Sequence, residues 1–480
     1  MRIRREKTAL RRTELSRPLR LAINGGLLPE GTEVFDYGCG HGSDVRHLRT
    51  LGFEARGWDP AHAPDSPRVP ADVVNLGFVV NVIENRDERI GALMGAWRLA
   101  KRLLIVSARL QSSVDEVRGE EHLDGIVTRL GTFQRYFTQP ELQTWIENTL
   151  EESPVPAAPG VFLIFRDAGE REAFVASRFR RSISGPRIPV SAALYAEHRE
   201  LLEPLVSFFV ERGRVPYEGE FRPPAELVRV FGSVRSAFAV VRRATGARQW
   251  AEIENQRRED LLLYLAHSQF SRSPRFTDLP AAMQADIRAF HGNYTKSVRA
   301  AIDVVREVGD QDAIDAACRK APVGKVTPQA LYVHRAYLTR LPILLRLYEA
   351  CARGLVGEVE DANIVKLHRY RPQVSYLCYP DFERNPHPPL TSSAIVWLDE
   401  ARTSIKDHTR TPNPPILHRK EELVSDDHPS RAKFAKLTKQ EENAGLYRRT
   451  SVIGNLRGWL LALDCAGVTI RGHRLMRRRT

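Results

Sequence analysis

The first third of the chain alternates short apolar runs with segments of helical periodicity. The pattern predicts strands at 34–36, 53–59, 72–78, 103–107 and 161–165, and helices at 43–51, 87–100 and 140–150. Strands that alternate with helices along a chain form a parallel, doubly wound sheet. We therefore expect an α/β domain over residues 31–170, with a proline-rich turn at 153–160.

A basic arm, residues 1–30, precedes this domain and is predicted as an amphipathic helix that breaks at Gly25–Gly26. Beyond the domain, helical periodicity predicts a mostly α-helical region over residues 171–358. Residues 359–480 are richer in Tyr, Val and Pro, and they predict a small, basic α+β unit. The pattern contains no evident internal repeat.

Charge narrows the choice of partners. The net charge of +13 favours polyanions, so a nucleic acid is the leading partner class and DNA is the expected partner. An arginine-rich surface that is merely solvated gives the same composition, and it is the alternative.

The cysteines are scattered, with no pair at the spacing of a metal site. We expect no bound metal and a reducing, cytoplasmic location. The arginine-rich start holds no apolar signal core, and no run of about 18 apolar residues predicts a membrane span.

The strongest chemical signal is the stretch Asp36-Tyr37-Gly38-Cys39-Gly40-His41-Gly42, between a predicted strand and a predicted helix. Glycines let the chain turn with positive φ and leave the backbone bare for a ligand, and the helix that follows offers unpaired amides. Asp59 ends the next predicted strand, where a carboxylate can accept both ribose hydroxyls. These features predict a nucleotide-like ligand.

The spacing Asp-x-Gly-x-Gly-x-Gly resembles the signature of the class I methyltransferases, a Rossmann-like family that uses S-adenosylmethionine. The resemblance implies cofactor contacts at Asp36, Gly38, Cys39, Gly40 and Gly42 on the methionine side, at Asp59 for the ribose, and at Asn75 on the strand that faces the transferred methyl group. The twelve residues between Asp59 and Asp72 are too few for the usual helix and third strand. The chain departs here from the family pattern, in which this stretch normally holds the adenine of the cofactor. A glycine turn without a ligand, or nicotinamide or flavin binding, are the alternatives.

The sequence assigns no catalytic residue. Enzymes that methylate the exocyclic amine of a flipped base resemble one another in an Asn/Asp-Pro-Pro-aromatic loop after the fourth strand, whereas Asn75-Leu76-Gly77-Phe78 stands here. The distant Asn413-Pro414-Pro415-Ile416 is predicted as an extended turn. His418-Arg419-Lys420-Glu421 is predicted as a surface charge cluster.

Residues 213–241 resemble the short helical repeats that accompany homing endonucleases, with a Gly-Arg-x-Pro entry and a Phe-Gly-Ser turn. The resemblance implies that DNA phosphates face four arginines, Arg229, Arg235, Arg242 and Arg243. A plain helical hairpin explains the same residues equally well.

Motifs along nearly the whole chain resemble the DNA phosphorothioation-associated methyltransferases. Besides the glycine loop they include Arg5-Glu6-Lys7-Thr8-Ala9, Gly57-Trp58-Asp59-Pro60 and Pro414-Pro415-Ile416-Leu417-His418-Arg419-Lys420. Members of that family accompany bacterial systems that place sulfur in the DNA backbone. The resemblance implies an S-adenosylmethionine-dependent methyltransferase that acts on DNA, together with other DNA modification proteins in a modification or defence system. The alternative is a non-catalytic DNA-binding or assembly subunit with a methyltransferase-like fold.

Overall fold

A computed structural model describes residues 3–111, 119–182, 197–245, 247–271 and 273–477. The chain divides into two compact units, one made of Met1–Arg166 and Gln311–Thr480 and the other of Asp167–Asp310. The sequence pattern drew its divisions near 170 and 358, so the second division comes earlier in the structure. It does so because short strands at Lys325–Val326 and Ala330–His334 belong to the sheet of the residues that follow them.

The amino-terminal part of the first unit is a mixed sheet with helices packed against it. Its elements are α1 (Arg17–Asn24), β1 (Glu33–Tyr37), α2 (Ser43–Thr50), β2 (Glu54–Trp58), β3 (Ala71–Gly77), α3 (Arg86–Leu99), β4 (Ala100–Ser107), β5 (Gly119–His122), β6 (Gly125–Thr128), β7 (Phe133–Gln134), α4 (Gln139–Leu150), β8 (Val155–Ala158) and β9 (Val161–Phe165). The strand order is β2-β1-β3-β4-β9-β8, in which β1 to β4 are parallel and β9 is antiparallel to both of its neighbours. The α/β fold class predicted for this region is confirmed.

Apolar side chains from neighbouring strands form the core of this sheet. Phe35, Val74, Leu104 and Phe162 are fully buried, and Leu93 of α3 packs into the same cluster. Each such side chain contributes about 1.5 to 3 kcal/mol when it leaves water. The core thereby aligns β1, β2 and β3 so that their carboxyl ends meet at one edge, which is where open α/β sheets bind ligands.

Two connections in this part of the chain can be compared with the sequence predictions. Between Asp59 and Ala71 the chain forms no helix and no named strand, as the short spacing predicts, and one isolated bridge joins Asp59 to Ala63. The turn predicted at 153–160 is wrong, because Val155–Ala158 is a strand. β8 lies at the edge of the sheet and, within the described residues, has a neighbouring strand on one side only. An edge position tolerates Pro156, which has no backbone N–H to donate to a second neighbour.

The basic arm is not the continuous helix that the sequence predicts. It forms a 3-10 turn at Arg5–Thr8 and then α1, which begins with Pro18 in its first turn. Cationic residues three and four positions apart repel one another in a helix, and Arg4, Lys7 and Arg11 have this spacing.

The second unit is helical, as predicted. It contains α5 (Ala168–Ser177), α6 (Arg199–Arg212), α7 (Ala225–Phe231), α8 (Val234–Thr245), α9 (Ala247–Ser268), α10 (Ala281–His291) and α11 (Tyr294–Val308). An aromatic trio holds α6, α8 and α9 together. The rings of Phe209 and Phe238 stack with centroids 4.2 Å apart, and the Trp250 ring meets each of them edge-on at 5.1 Å.

The second unit contains two copies of one helical hairpin, α7–α8 and α10–α11. Gly232 and Gly292 end the first helices with φ of 75° and 79°, and the side chains of Ser233 and Asn293 accept a backbone N–H in the first turn of the next helices. Counted from the two glycines, equivalent positions are fully buried, as the pairs Leu227 and Ile287, Ala237 and Ser297, and Val241 and Ala301. The sequence pattern does not reveal this repeat, because the copies share burial and caps rather than residue identities.

A buried ion network joins the chain after α6 to α10. The side chain of Arg214 is 5% exposed, and its guanidinium donates to Asp286 and to Glu220, each at 2.7 Å. Arg214 is the arginine of the Gly-Arg-x-Pro entry. In this chain it holds the helices together and does not face solvent.

The carboxy-terminal part of the first unit is α+β, as predicted. It contains α12 (Gln311–Arg319), β10 (Lys325–Val326), β11 (Ala330–His334), α13 (Ile343–Val356), β12 (Ile364–His368), β13 (Gln373–Cys378), β14 (Ser392–Trp397), β15 (Arg402–Asp407), α14 (Arg431–Asn443), α15 (Leu456–Cys465), β16 (Val468–Arg471) and β17 (Arg474–Arg477). β10 to β15 form an antiparallel meander in chain order, and β16 pairs with β17. In the parts of the chain that the structure describes, no helix combines the length and apolar character needed to cross a membrane.

The charge cluster predicted on the surface at 418–421 is partly buried, so that prediction is wrong. Lys420 is 3% exposed, and its Nζ donates to the carbonyl oxygens of Phe382 and Asn385 at 2.5 and 2.7 Å. Burial lowers the pKa of Lys420 to about 7. A long side chain whose donors all find acceptors can leave the surface, which the sequence pattern does not reveal.

Candidate functional site

The loop after β1 turns sharply into α2. Gly38, Gly40 and Gly42 have φ of 86°, 50° and 69°, which side chains other than glycine rarely adopt. The amides of Gly38 and Cys39 donate to the carbonyl oxygen of Trp58 at 2.8 and 3.0 Å. These two amides therefore fix the loop against the end of β2 and are not free for a ligand.

Asp59 lies at the end of β2 and faces the glycine loop. Its Oδ2 accepts the amide of Gly40 at 3.0 Å, and its Oδ1 accepts the amides of Ala61 and His62, each at 2.9 Å. A carboxylate offers about four acceptor positions, so about one is left for a ligand. Asp59 positions the loop and can accept one further hydroxyl rather than two.

Cys39 packs inside the loop. A Cβ on Gly57 would lie 2.8 Å from the Cβ of Cys39, so the missing side chain at Gly57 makes room for it. Burial raises the pKa of the Cys39 thiol to about 12, which keeps the thiol protonated. Cys39 therefore contributes to the wall of the site and is not a nucleophile at neutral pH.

Asp36 and Asn75 are register partners on β1 and β3. Asn75 Nδ2 donates to Asp36 Oδ1 at 2.8 Å, whereas Asn75 Oδ1 is buried without a hydrogen-bond partner among the described residues. Burial, with a further contribution from the carboxylate of Asp44, raises the pKa of Asp36 to about 7. A buried carboxyl beside an unpartnered amide oxygen favours a ligand that brings N–H donors or positive charge.

A cavity of about 520 Å³ lies at this edge of the sheet, a volume within the range of small-molecule sites. Its wall includes most of the site residues predicted from the sequence, namely Asp36, Gly38, Cys39, Gly40, Asp59 and Asn75. Gly42, the residue before α2, was also predicted as a cofactor contact but does not line the cavity. The structure thus brings together residues that are far apart in the sequence.

The short connection after β2 supplies one side of the cavity. Pro60, His62 and Arg68 of this connection line the cavity beside Trp58, the last residue of β2. The guanidinium of Arg68 lies 4.9 Å from the ring centroid of Trp58. An aromatic ring and a guanidinium group both stack on planar ligands. This short connection therefore provides a wall for a planar ring, although it lacks the helix and third strand that are usual between the second and fourth strands of class I methyltransferases.

The basic arm forms another side of the cavity. Arg5 pairs with Glu84 and Glu88 at 2.8 and 2.5 Å. A Cβ at Gly40 would lie 2.9 Å from the Cβ of Ala9, so the arm packs directly on the glycine loop. The arm is thus part of the site and not a free tail.

The cavity wall carries charges of both signs, with four arginines and four carboxylates among its residues. Its carboxylates are engaged: Asp44 accepts the amide of Ser16 at 2.8 Å, and Glu88 pairs with Arg5. Arg12 and Arg109 also line the cavity, and neither forms an ion pair with a carboxylate within the described ranges. Across those same ranges, no group of three His, Cys, Asp or Glu side chains is placed to hold a metal ion.

Comparisons with known proteins found similarity among solved structures over about a third of the chain. A scan against protein-family models gave no match, and a search of curated proteins gave none either. Among solved structures, a 1,6-didemethyltoxoflavin-N1-methyltransferase of Burkholderia thailandensis with bound S-adenosylhomocysteine is 16% identical, with a TM-score of 0.23, over 31% of this chain and 75% of that one. A magnesium protoporphyrin IX methyltransferase of Synechocystis with bound S-adenosylmethionine is 17% identical, with a TM-score of 0.22, over 31% of this chain and 76% of that one. An S-adenosylmethionine-dependent methyltransferase of Aquifex aeolicus is 16% identical, with a TM-score of 0.23, over 34% of this chain and 95% of that one.

The donor and acceptor groups of the cavity fit S-adenosylmethionine. Asp36 and the free oxygen of Asn75 can accept hydrogen bonds from its ammonium group, and the remaining acceptor position of Asp59 suits one ribose hydroxyl. Trp58 and Arg68 offer a surface for adenine. The sum of these groups matches a ligand that has a cation at one end and a planar base at the other.

Sequence analysis missed several residues of the wall. Three of them, Arg12, Arg109 and Gln134, belong to no motif. The arm, the segment after β4 and strand β7 bring them to the cavity. Only tertiary structure reveals this grouping. Trp58 carried a signal, since it precedes Asp59 in the Gly-Trp-Asp-Pro motif.

The arginines predicted to contact DNA lie on the hairpin α7–α8. Arg229 is exposed and pairs with Glu226 at 2.8 Å. Arg235, Arg242 and Arg243 of α8 are exposed, and no carboxylate within the described parts of the chain pairs with them. We call these three the α8 arginines.

Proposed function

We propose that this chain is an S-adenosylmethionine-dependent methyltransferase that acts on DNA. The observation that carries the proposal is the pairing of Asp36 with Asn75 at the wall of a cavity at the carboxyl ends of β1 and β3. When bound, the cofactor supplies a methyl group activated by a positively charged sulfur. A buried carboxyl and an amide oxygen without a donor are suited to the cationic part of such a ligand.

The chain's own residues bind and orient the ligands. Asp36 and Asn75 fix the cationic end, and Asp59 holds the glycine loop and one hydroxyl. The arm excludes water from one side of the cavity. Alignment of the acceptor with the methyl group supplies most of the rate in methyl transfer, so positioning matters more than acid–base chemistry.

The test uses the full chain, methyl-labelled S-adenosylmethionine and separate pools of DNA, RNA and protein. We expect label in the DNA pool and none in the other two. The variant Asn75→Leu should lose incorporation, because it removes both the partner of Asp36 and the free acceptor. Label in protein alone would contradict the choice of DNA.

The DNA partner is supported by the charge of the second unit. The α8 arginines are exposed and unpaired, and the second hairpin exposes Lys296 and Arg299 at its own second helix. Exposed cations that lack partners bind phosphates by releasing counterions. Each hairpin would then contact the DNA backbone.

An association with phosphorothioate modification rests on the family resemblance. A direct comparison uses matched duplexes with and without phosphorothioate linkages, in both binding and methyl incorporation. We expect the two duplexes to differ. Equal affinity and equal incorporation would remove this part of the proposal and leave the methyltransferase part standing.

A second candidate is a non-catalytic DNA-binding or assembly subunit. It is favoured by the internal use of the loop amides and by Ala9, which packs on Gly40. Binding of S-adenosylmethionine without methyl incorporation into any pool would support this candidate over the enzyme.

A further inference from the structure

Asn81 has an amide oxygen that the folded chain leaves without a partner. The residue follows β3, lines the cavity and is 1% exposed. Its Oδ1 is buried and accepts no hydrogen bond from the residues that the structure describes. A buried acceptor without a donor destabilises a fold unless a ligand supplies the donor, so Asn81 points to a bound group.

The amide of Asn81 is held in one orientation. Its Nδ2 donates to Gln134 Oε1 at 3.1 Å, and its backbone oxygen accepts the amide of Arg135 at 2.8 Å. One of the two N–H groups of Nδ2 is taken in this way, whereas Oδ1 has no partner at all within the described residues. A group that offers N–H or O–H is suited to this unpartnered oxygen.

Charge distinguishes between classes of ligand. Arg12, Arg68 and Arg109 line the same cavity without a carboxylate partner in the described ranges, whereas Glu88 pairs with Arg5 and Asp59 accepts backbone amides. The wall as a whole has four arginines and four carboxylates, and the arginines without a carboxylate partner are the groups suited to a phosphate of the ligand.

The side chains of Asn81 and Gln134 contain no base, and this favours an amine over a hydroxyl as the group they hold. A hydroxyl must lose its proton to become a good nucleophile, and Asn81 and Gln134 are neutral amides that cannot remove it. An amine has a lone pair while it still donates N–H to an amide oxygen. The pair Asn81 and Gln134 therefore fits an amine.

We propose that Asn81 and Gln134 form the acceptor subsite, in which Asn81 Oδ1 accepts an N–H from the exocyclic amine of a nucleobase in a phosphate-bearing strand. This inference rests on the proposed methyltransferase function and names its substrate class. Arg109 lies on the wall of the same cavity and suits a phosphate of that strand.

The transfer is a single displacement. The amine nitrogen's lone pair forms the new N–C bond to the methyl carbon, and the C–S bond breaks with its electron pair going to sulfur. The sulfonium becomes a neutral thioether, and the nitrogen loses its extra proton to water. The hydrogen bond to Asn81 strengthens as positive charge develops on nitrogen, so Asn81 stabilises the transition state.

The test measures the binding of single-stranded oligothymidylates with one central base, in the presence of S-adenosylhomocysteine. Adenine is compared with hypoxanthine, and cytosine with uracil, since each pair differs in the exocyclic amine. We expect about tenfold tighter binding of the amine-bearing strand of at least one pair. Equal affinity within both pairs would overturn the subsite.

Two variants examine the residues directly. Asn81→Leu should abolish the preference for the amine while S-adenosylhomocysteine affinity stays unchanged, which also shows that the fold is intact. Gln134→Leu frees the Asn81 amide to turn, so hypoxanthine should bind as well as adenine. Asn148→Leu, on the exposed face of α4, is the matched control and should keep the preference.

The outcomes separate the two proposals. Retention of the preference in Asn81→Leu would refute the subsite alone. A failure of the parent chain to bind S-adenosylhomocysteine would refute the proposed function itself. Methyl incorporation into protein rather than nucleic acid would exclude a nucleobase as the acceptor.

Discussion

Replacement of Asp36 by asparagine should stabilise the chain at pH 8 and have no effect at pH 4. Asp36 is 4% exposed, and burial, together with the carboxylates of Asp44 and Asp59, raises its pKa to about 7. Asn75 and Arg12 lower the pKa and do not offset the burial. The substituted amide would keep an acceptor oxygen for Asn75 and would remove the charge.

The size of the effect follows from the pKa. A rise from the ordinary value of 3.8 to about 7 corresponds to about 4 kcal/mol, at about 1.4 kcal/mol per unit. Between pH 4 and pH 7 the folded state keeps a proton that the unfolded chain has lost, so the free energy of unfolding falls as the pH rises through this window. Above pH 7 the full destabilisation is present, and the variant should be more stable by up to about 4 kcal/mol.

Hydrogen–deuterium exchange of peptides from β1 and β3 reports the stability of the sheet that holds Asp36. The parent and Asp36→Asn should exchange equally at pH 4 and should diverge steadily toward pH 8, after correction for intrinsic exchange rates. Parallel pH profiles of the two proteins would refute the reasoning, because they would mean that Asp36 ionises normally in the folded chain.

Three further predictions concern the loop, the helical unit and DNA. Gly38→Ala should abolish S-adenosylhomocysteine binding in calorimetry, because its Cβ would lie 2.4 Å from Val79 Cγ2 at a φ of 86°; unchanged affinity would contradict this. Arg214→Met should destabilise the second unit by about 3 kcal/mol, since Glu220 would lose its pairing with Arg214 and the buried Asp286 would keep only Arg212, at 3.5 Å; an unfolding midpoint equal to that of the parent would exclude this role. Replacement of the α8 arginines by alanine should weaken DNA binding and lower the salt slope of log K by about one for each phosphate that is no longer neutralised; an unchanged slope would remove these arginines from the interface.

The glycine loop and Asp59 could be predicted from the sequence because their signals are local. A turn with positive φ needs glycines at fixed spacing, and a carboxylate at the end of β2 faces that turn whatever the rest of the chain does. The hydrogen bonds of Asp59 differ from the predicted ones, since most of its acceptor positions are used by backbone amides and not left for two ribose hydroxyls. Local patterns predict where a residue lies better than which bonds it makes.

The elements that the sequence missed depend on long-range contacts. β8 contains Pro156 and resembles a turn until β9 pairs with it at the sheet edge. The repeated hairpin is hidden because equivalent core positions hold different residues, such as Ala237 and Ser297. A charged residue such as Lys420 is predicted to lie at the surface. Its burial is explained only by the carbonyl groups that accept hydrogen bonds from its Nζ.

Titration of the full chain with S-adenosylhomocysteine by calorimetry tests the central claim most directly. The account predicts saturable binding of one molecule per chain that excess NAD does not displace, and a marked loss of affinity in Asn75→Leu. The absence of heat from binding at millimolar ligand, or equal affinity in Asn75→Leu, would contradict the assignment of this cavity to the cofactor.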